Sequence, residues 1–322
     1  VSGVRPALVV VAGTTASGKT ELALALARRL GGELVGADSV QVYRGFDVGS
    51  AKPTAEELGG IAHHLLDVVD PDEAIDAARY ASLADAAIAG VASRGRLPIV
   101  VGGTGLWLRA LVRGLVALPA PDPTLRASLE AEVARDGAPR LHARLAAIDP
   151  RAAVAIHPHD ALRIVRALEV HAQTGEALGE LRHRHALGAP RYPTLFLALD
   201  RPREELRVRL TLRVRSMLER GWVDEVRRLL ARWGPDVRAF GSVGYREVLA
   251  HVRGELSAEA AEAGAVRASW VYARRQRTWF RSEPGVDLRL DDGPPGVESL
   301  LPAIEDLRER AARGEPSPGG RS

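Results

Sequence analysis

Residues 13 to 20, "GTTASGKT", fit the pattern Gly-x4-Gly-Lys-Thr between the apolar run "ALVVVA" and the helical run "ELALALARRL". Average residue usage produces such a match by chance in roughly one chain in a hundred of this length, before the strand and helix context is required. Gly13 and Gly18 let backbone N–H groups turn toward an anion, and a helix amino terminus adds its dipole. Thr14, Thr15, Ala16 and Ser17 complete the loop. Lys19 is placed to neutralise an outer phosphate, and the Thr20 hydroxyl to reach Mg²⁺. The expected ligand is a di- or triphosphate, but the loop names neither the compound nor the group that is transferred.

Two chemistries remain open at this point. With ATP, the protein is a kinase or NTPase, and Asp38 after "ELVGA" or Asp200 after "LFLAL" holds Mg²⁺ or a nucleophile. With an allylic diphosphate, the loop holds pyrophosphate as a leaving group and the acid after the second strand deprotonates an acceptor. The chain contains two lysines, Lys19 and Lys52, among 44 strong bases. In a sequence that otherwise uses arginine, a retained lysine points to a position where a compact ammonium matters.

The elements that must position these residues read as an α/β core. Four short apolar runs, 7 to 12, 33 to 37, 97 to 101 and 194 to 199, are each followed by polar or glycine-rich residues and then a helical pattern. This predicts a P-loop NTPase-like parallel sheet flanked by helices, with ligands beyond the carboxyl ends of the strands. Between about 117 and 188 only helical periodicity occurs, bounded by the proline-rich junctions "LPAPDP" and "APRYP". The expected division is a catalytic core of 1–116 and 189–283, an all-helical insertion of 117–188, and a partly disordered tail of 284–322 ending in "RGEPSPGGRS".

Totals exclude several classes. Without cysteine there is no disulfide, Fe–S cluster or Cys-based zinc site. Apolar runs fall well short of a membrane span and no basic-then-apolar leader opens the sequence, so the expectation is a cytoplasmic protein without membrane contact. A net charge of +3 leaves any nucleic-acid affinity to local patches.

Six stretches, "GTTASGKT", "GADSVQVYRGFDVGSAKPT", "HHLLDVVDP", "PIVVGGTGLWLRALVRGL", "LRIVRALEV" and "ARRQRTWFR", together resemble the tRNA dimethylallyltransferase family, from about residue 7 to 281 and in the family's order. The resemblance implies Mg²⁺-dependent transfer of a dimethylallyl group from dimethylallyl diphosphate to the adenosine 3′ of the anticodon, in tRNAs reading codons that start with U. It implies an anticodon stem-loop as partner, covered by the insertion; a monomer is expected. Thr15 to Thr20 fall on the diphosphate, and Asp38 becomes the general base. Ser39, Val40, Gln41 and Thr104 fall near the target adenosine, and Arg126, Asp160, Arg163 and Arg166 on tRNA. Arg209 and Arg213, four apart, are implied to reach the leaving pyrophosphate, and Lys52 to lie near the site. Arg274, Arg275 and Gln276 suggest RNA contact, while Trp279 and Phe280 suit the core.

Three positions depart from the family pattern: Trp107 in place of a common tyrosine, Trp270 of a usual arginine, and Gly241 of a polar residue. The histidines at 63, 64, 157, 159, 183 and 185 read as structural, since no group gains a convincing third metal ligand. Rival readings are a small-molecule or nucleoside kinase, a nucleotide-gated RNA-binding protein, and prenylation of a free adenine nucleotide; the long insertion speaks against the last.

Overall fold

The computed structural model describes residues 5–186 and 190–315. Six strands, β1 Leu8–Gly13, β2 Gly32–Ala37, β3 His63–His64, β4 Leu97–Gly102, β5 Thr194–Leu199 and β6 Leu288–Leu290, form one sheet in the order β3-β2-β4-β1-β5-β6. Every pairing is parallel. Every residue of β1, β2, β4 and β5 is buried, which is why these four read as continuous apolar runs rather than alternating ones.

The helices are α1 Lys19–Leu30, α2 Ala55–Leu58, α3 Ala77–Ser93, α4 Gly105–Arg113, α5 Pro123–Asp136, α6 Ala138–Ile148, α7 Pro150–Ala155, α8 Ala161–Thr174, α9 Leu178–Ala186, α10 Arg203–Glu219, α11 Trp222–Trp233, α12 Tyr245–Val252, α13 Ala258–Ser282 and α14 Leu301–Ala312. The described residues fall into two compact units, one joining the chain up to Gly114 with the chain from Pro190, the other beginning at Leu115. In the first, α1 and α14 bury leucines and Ile304 against one sheet face, and the other face shares a core with residues of α3, α4, α11 and α12. The second is helical throughout, with a core that includes Leu129, Leu145, Ile164 and Leu168.

The region after Pro284 corrects the expectation of a tail. β6 pairs with β5, and Ile304 and Leu307 of α14 are fully buried, each contributing roughly 1.5–3 kcal/mol. Residues 316–322, within the segment expected to be disordered, lie outside the described residues.

Register sets the site. Ala37 and Ala12 both pair with Gly102, and Gly13 pairs with Leu199, so the loops after β1, β2, β4 and β5 leave one edge of the sheet together.

Candidate active site

The 13–20 loop turns from β1 into α1 under tight constraints. A Cβ on Gly13 would lie 2.3 Å from the Leu199 carbonyl oxygen, and Gly18 caps α1 at φ +96°, so neither position accepts an ordinary side chain. Ala16 takes φ +64°, a strained conformation for a residue with a Cβ. Two arginines hold it: Arg209 donates from Nε to the Ala16 carbonyl at 2.9 Å, and Arg201 to the Ser17 carbonyl at 3.0 Å. Because the peptide is planar and trans, drawing the Ser17 carbonyl to Arg201 turns the Gly18 N–H the other way. The Ser17 hydroxyl is buried without a partner. Arg209, expected on pyrophosphate, thus holds the loop's own backbone.

From the far end of the chain, Gln276 on α13 closes the loop. It accepts from the Thr15 N–H at 2.8 Å and donates to the Gly103 carbonyl at 2.9 Å. One buried amide therefore ties the loop after β1 to the loop after β4. The sequence marked Gln276 only as part of a basic and aromatic cluster; Phe280 of that cluster is core and Trp279 lies under Arg109, 4.5 Å from its guanidinium carbon.

Asp38 lies just past β2 in a turn of its own making. Its Oδ1 accepts from the Val40 and Gln41 N–H groups at 2.9 and 3.2 Å, as a short acidic side chain in such a turn does. Its Oδ2 has no hydrogen-bond partner among the described residues. Thr104 accepts from the Ser39 N–H at 3.1 Å and shares a hydrogen bond with Tyr272. Burial, with Asp38 adding to it, pushes the Tyr272 hydroxyl well above its ordinary pKa, so it stays a phenol.

Lys19, Arg213 and Asp38 share one field. Burial is the largest cause lowering Lys19 to about 8, Arg213 adds to it, and Asp38 opposes both. Burial likewise lowers Arg213. Lys19 donates to the Thr14 carbonyl at 3.3 Å and Arg213 to the Ser50 carbonyl at 3.3 Å; neither forms an ion pair among the described residues. Two half-buried cations without a carboxylate of their own make a place for an anion.

The segment opposite is held just as firmly. Glu225, 2% exposed, accepts from the N–H groups of Asp47, Val48 and Gly49 at 3.0, 2.5 and 3.2 Å and from the Tyr245 hydroxyl at 2.7 Å. Gln41 donates to the Ser50 and Ala51 carbonyls, both at 3.1 Å. Lys52 is neither a solvated lysine nor a cleft cation: it is buried between Asp47 and Asp67 at 2.5 and 2.6 Å. Thr15, Asp38, Ser39, Val40, Arg213, Tyr272 and Arg275 line one cleft, whose empty volume is about 1040 Å³.

Asp200 does not join them. Arg277 grips it with two hydrogen bonds, 2.5 and 2.9 Å, so the acid that a metal-dependent kinase would require after this strand is already neutralised. Among the described residues no three His, Asp or Glu side chains gather around a common point; His64 bonds Glu33 at 2.7 Å, and burial lowers His63 to about 4.

In the helical unit, Asp160 caps α8 by accepting from the Arg163 N–H at 3.2 Å and also pairs with that exposed side chain at 3.3 Å. Arg126 and Arg166 turn inward to fully buried Glu169 at 2.8 and 2.6 Å. The expected pair of phosphate clamps at 163 and 166 does not share a face: Arg163 is exposed, while Arg166 also donates to the Pro119 carbonyl. The signal was present in the sequence, since Glu169 stands three residues after Arg166.

Of the departures, Trp107 stacks on Tyr80 with centroids 4.4 Å apart in the core. Trp270 packs on the cluster of Leu206, Leu210 and Ala273, under Arg203 and Arg207. Gly241 borders the cleft.

Sheet order, loop and cleft place the molecule in the P-loop class of α/β enzymes. The family model described as IPP transferase matches residues 41–283. The tRNA dimethylallyltransferase of Anaeromyxobacter sp. (strain K) is 56% identical over 306 residues, 95% of this chain and 99% of its own. That of Myxococcus xanthus (strain DK1622) is 50% identical over 298 residues, 92% and 96% of the two chains. The full-length tRNA isopentenylpyrophosphate transferase of Bacillus halodurans superposes with a TM-score of 0.69 at 35% identity, over 96% of this chain and 98% of that one. A eukaryotic dimethylallyltransferase acting on tRNA gives 0.74 at 27% identity, over 98% and 81%. The chain belongs to the IPP transferase family.

Proposed function

We propose that this enzyme transfers the dimethylallyl group of dimethylallyl diphosphate to the exocyclic N6 amine of adenosine 37, just 3′ of the anticodon, in tRNAs that read codons starting with U, releasing pyrophosphate. The observation that carries the reading is a pair of half-buried cations, Lys19 and Arg213, neither ion-paired among the described residues, that share their field with Asp38, a carboxylate with a free oxygen. The names of the related enzymes support the substrate pair.

In this reading the 13–20 loop, Lys19 and Arg213 hold the diphosphate. The bond between C1 and the diphosphate oxygen breaks, and its electron pair leaves with pyrophosphate. The N6 lone pair forms the new N–C1 bond, and the N6 proton passes to Asp38 Oδ2. An adenine amine is not acidic in the ground state, so the base acts late, as positive charge builds on nitrogen. Asp38 is oriented for this by the two N–H groups on its other oxygen.

The oxygen donors suit Mg²⁺, which takes one or two protein oxygens and completes its shell with phosphate and water. The Thr20 hydroxyl is the protein donor in this reading, and the ion supplies charge neutralisation for the departing pyrophosphate. Asp200 is not a ligand, being bound to Arg277.

The target base must leave its stack to reach Asp38. Ser39, Val40 and Thr104 then border it, and of Arg126, Arg163 and Arg166 the exposed Arg163 is the one turned to solvent, where a tRNA phosphate can reach it. Function on tRNA puts the enzyme in the cytoplasm.

The test combines purified protein, Mg²⁺, dimethylallyl diphosphate and unmodified tRNA whose anticodon ends in A, followed by mass spectrometry of the nucleosides. A prenylated adenosine at position 37 is expected in the wild type. Its formation falls about 10²–10⁴-fold in Asp38→Ala, with donor binding kept. Consumption of ATP on a small acceptor, with no nucleoside product, would replace the reading by a kinase.

A further inference from the structure

Gln276 of α13 is 6% exposed, and its amide accepts from the Thr15 N–H and donates to the Gly103 carbonyl. An N–H on one side and a C=O on the other fix which end of the amide is oxygen. One turn earlier on the same helix, the Tyr272 hydroxyl shares hydrogen bonds with Gln276 and Thr104. Thr104 in turn accepts from the Ser39 N–H, and Ser39 follows Asp38. An unbroken run of contacts therefore leads from the loop after β1, through α13 and the loop after β4, to the turn that carries the carboxylate.

The seat of α13 on the loop after β4 is close. A Cβ on Gly103 would lie 2.2 Å from Gln276 Nε2, and one on Gly105 2.4 Å from the Trp279 ring. Neither glycine takes a positive φ, so the helix packed on them, rather than the backbone, excludes a side chain there. A buried amide packed in this way has little room to shift.

The 13–20 loop has other holds on its own shape. Lys19 donates to the Thr14 carbonyl, Arg209 to that of Ala16 and Arg201 to that of Ser17. None of these reaches the loop after β4, and among the described residues no other side chain hydrogen-bonds both loops.

We propose that Gln276 is a positioning residue for the transfer step: it sets the spacing between the loop that holds the diphosphate and the loops that present the acceptor amine to Asp38. The inference rests on the reading of the site as one of prenyl transfer. Forming the N–C1 bond needs the reacting atoms aligned and about 3–3.5 Å apart, and a misplacement of about 1 Å costs about 100-fold in rate. Diphosphate binding does not need that spacing, since it uses one loop and its cations. Loss of the amide therefore slows transfer and spares binding.

The experiment measures single-turnover transfer from dimethylallyl diphosphate to unmodified tRNA, both saturating and with Mg²⁺, for the wild type, Gln276→Met and Gln276→Glu. Calorimetry reads pyrophosphate binding, filter retention reads tRNA binding, and thermal melting reads the fold. Methionine keeps the length and removes both hydrogen bonds; glutamate keeps an acceptor for Thr15 and brings no N–H to Gly103. Gln276→Met is expected to slow transfer about 100-fold and Gln276→Glu to slow it in the same direction, with both affinities at wild-type levels. Ile304→Ala, in the core under α14 and away from the site, is expected to lower the melting temperature and keep the wild-type rate. Either folded Gln276 variant decides. A wild-type rate in it, or weaker pyrophosphate binding with the saturated rate unchanged, would overturn the inference and leave the prenyl-transfer reading intact. Equal slowing in Ile304→Ala at an equal loss of melting temperature, or failure of both Gln276 variants to fold, would make the residue structural and overturn the inference as well. Absence of transfer by the wild type would remove the reading and the inference together.

Discussion

Two buried glutamates solve the same problem in opposite ways. In the helical unit, Glu169 takes ion pairs from Arg126 and Arg166 and accepts from the Asp122 N–H at 2.9 Å. In the sheet unit, Glu225 takes three backbone N–H groups and a phenol and no arginine. The first solution consumes guanidinium charge to hold helices together. The second fixes the 47–49 segment with neutral donors, so that Arg213 in the nearby cleft, like Lys19, has no ion-pair partner among the described residues. Abundant arginine is thus a poor guide to where an anion binds; what matters is which arginines the fold has left without a carboxylate.

The largest effect that sharpens this contrast is expected from Glu225→Ala, which strips four donors of their acceptor at once. Loss of about 3 kcal/mol or more of stability in urea melts should come with weaker pyrophosphate binding, because the carbonyl that positions Arg213 lies in the same segment. A variant that melts like the wild type would mean that the clamp is dispensable.

Arg213→Ala and Arg166→Ala then make a matched pair. The first should weaken pyrophosphate about 10–100-fold, the scale of one lost charge-assisted hydrogen bond, with little change in melting. The second should lower stability by roughly 1–2 kcal/mol, since Arg126 stays to partner Glu169, and leave pyrophosphate affinity alone. If the two variants exchanged these signatures, the distinction drawn between the units would fail.

The smallest effect is in pH. Bound pyrophosphate favours the charged form of Lys19, whose free-state pKa is about 8. Below that value the ammonium is already formed and Lys19 adds no pH dependence to binding. Above it, binding must take up a proton, so affinity falls as pH rises, by about tenfold per unit until the pKa of the bound state is reached. Calorimetry at pH 7 and 9 in buffers of different ionisation enthalpy reads that proton directly; equal proton uptake at both values would refute it.

Much of this was legible in the sequence where neighbours along the chain do the work. The four long strands are unbroken apolar runs, and the 13–20 loop and Asp38 follow two of them directly. Strands β3 and β6 escaped because they are two and three residues long, too short for any periodicity. Helix α14 was masked by the Asp, Gly and Pro residues before it, although its buried 304, 307 and 311 keep helical spacing. The partners that lock the site were illegible for a different reason. Glu225 acts on residues 176 to 178 positions earlier, and no local pattern carries such information. Arg209 lies beside the loop with its Nε on the Ala16 carbonyl, a partner no local pattern names, since a guanidinium suits a phosphate and a strained carbonyl equally well.

The hydrogen bond from Thr15 to Gln276 spans 261 positions. During synthesis at about 5–20 residues per second, the glycine loop leaves the ribosome roughly 13–52 s before the residue that braces it. Throughout that interval the nascent chain lacks the contact joining the loops after β1 and β4. The enzyme is therefore assembled in an order that withholds its binding site until nearly the whole chain exists, and a chain cut short before α13 carries the phosphate-loop sequence without its brace.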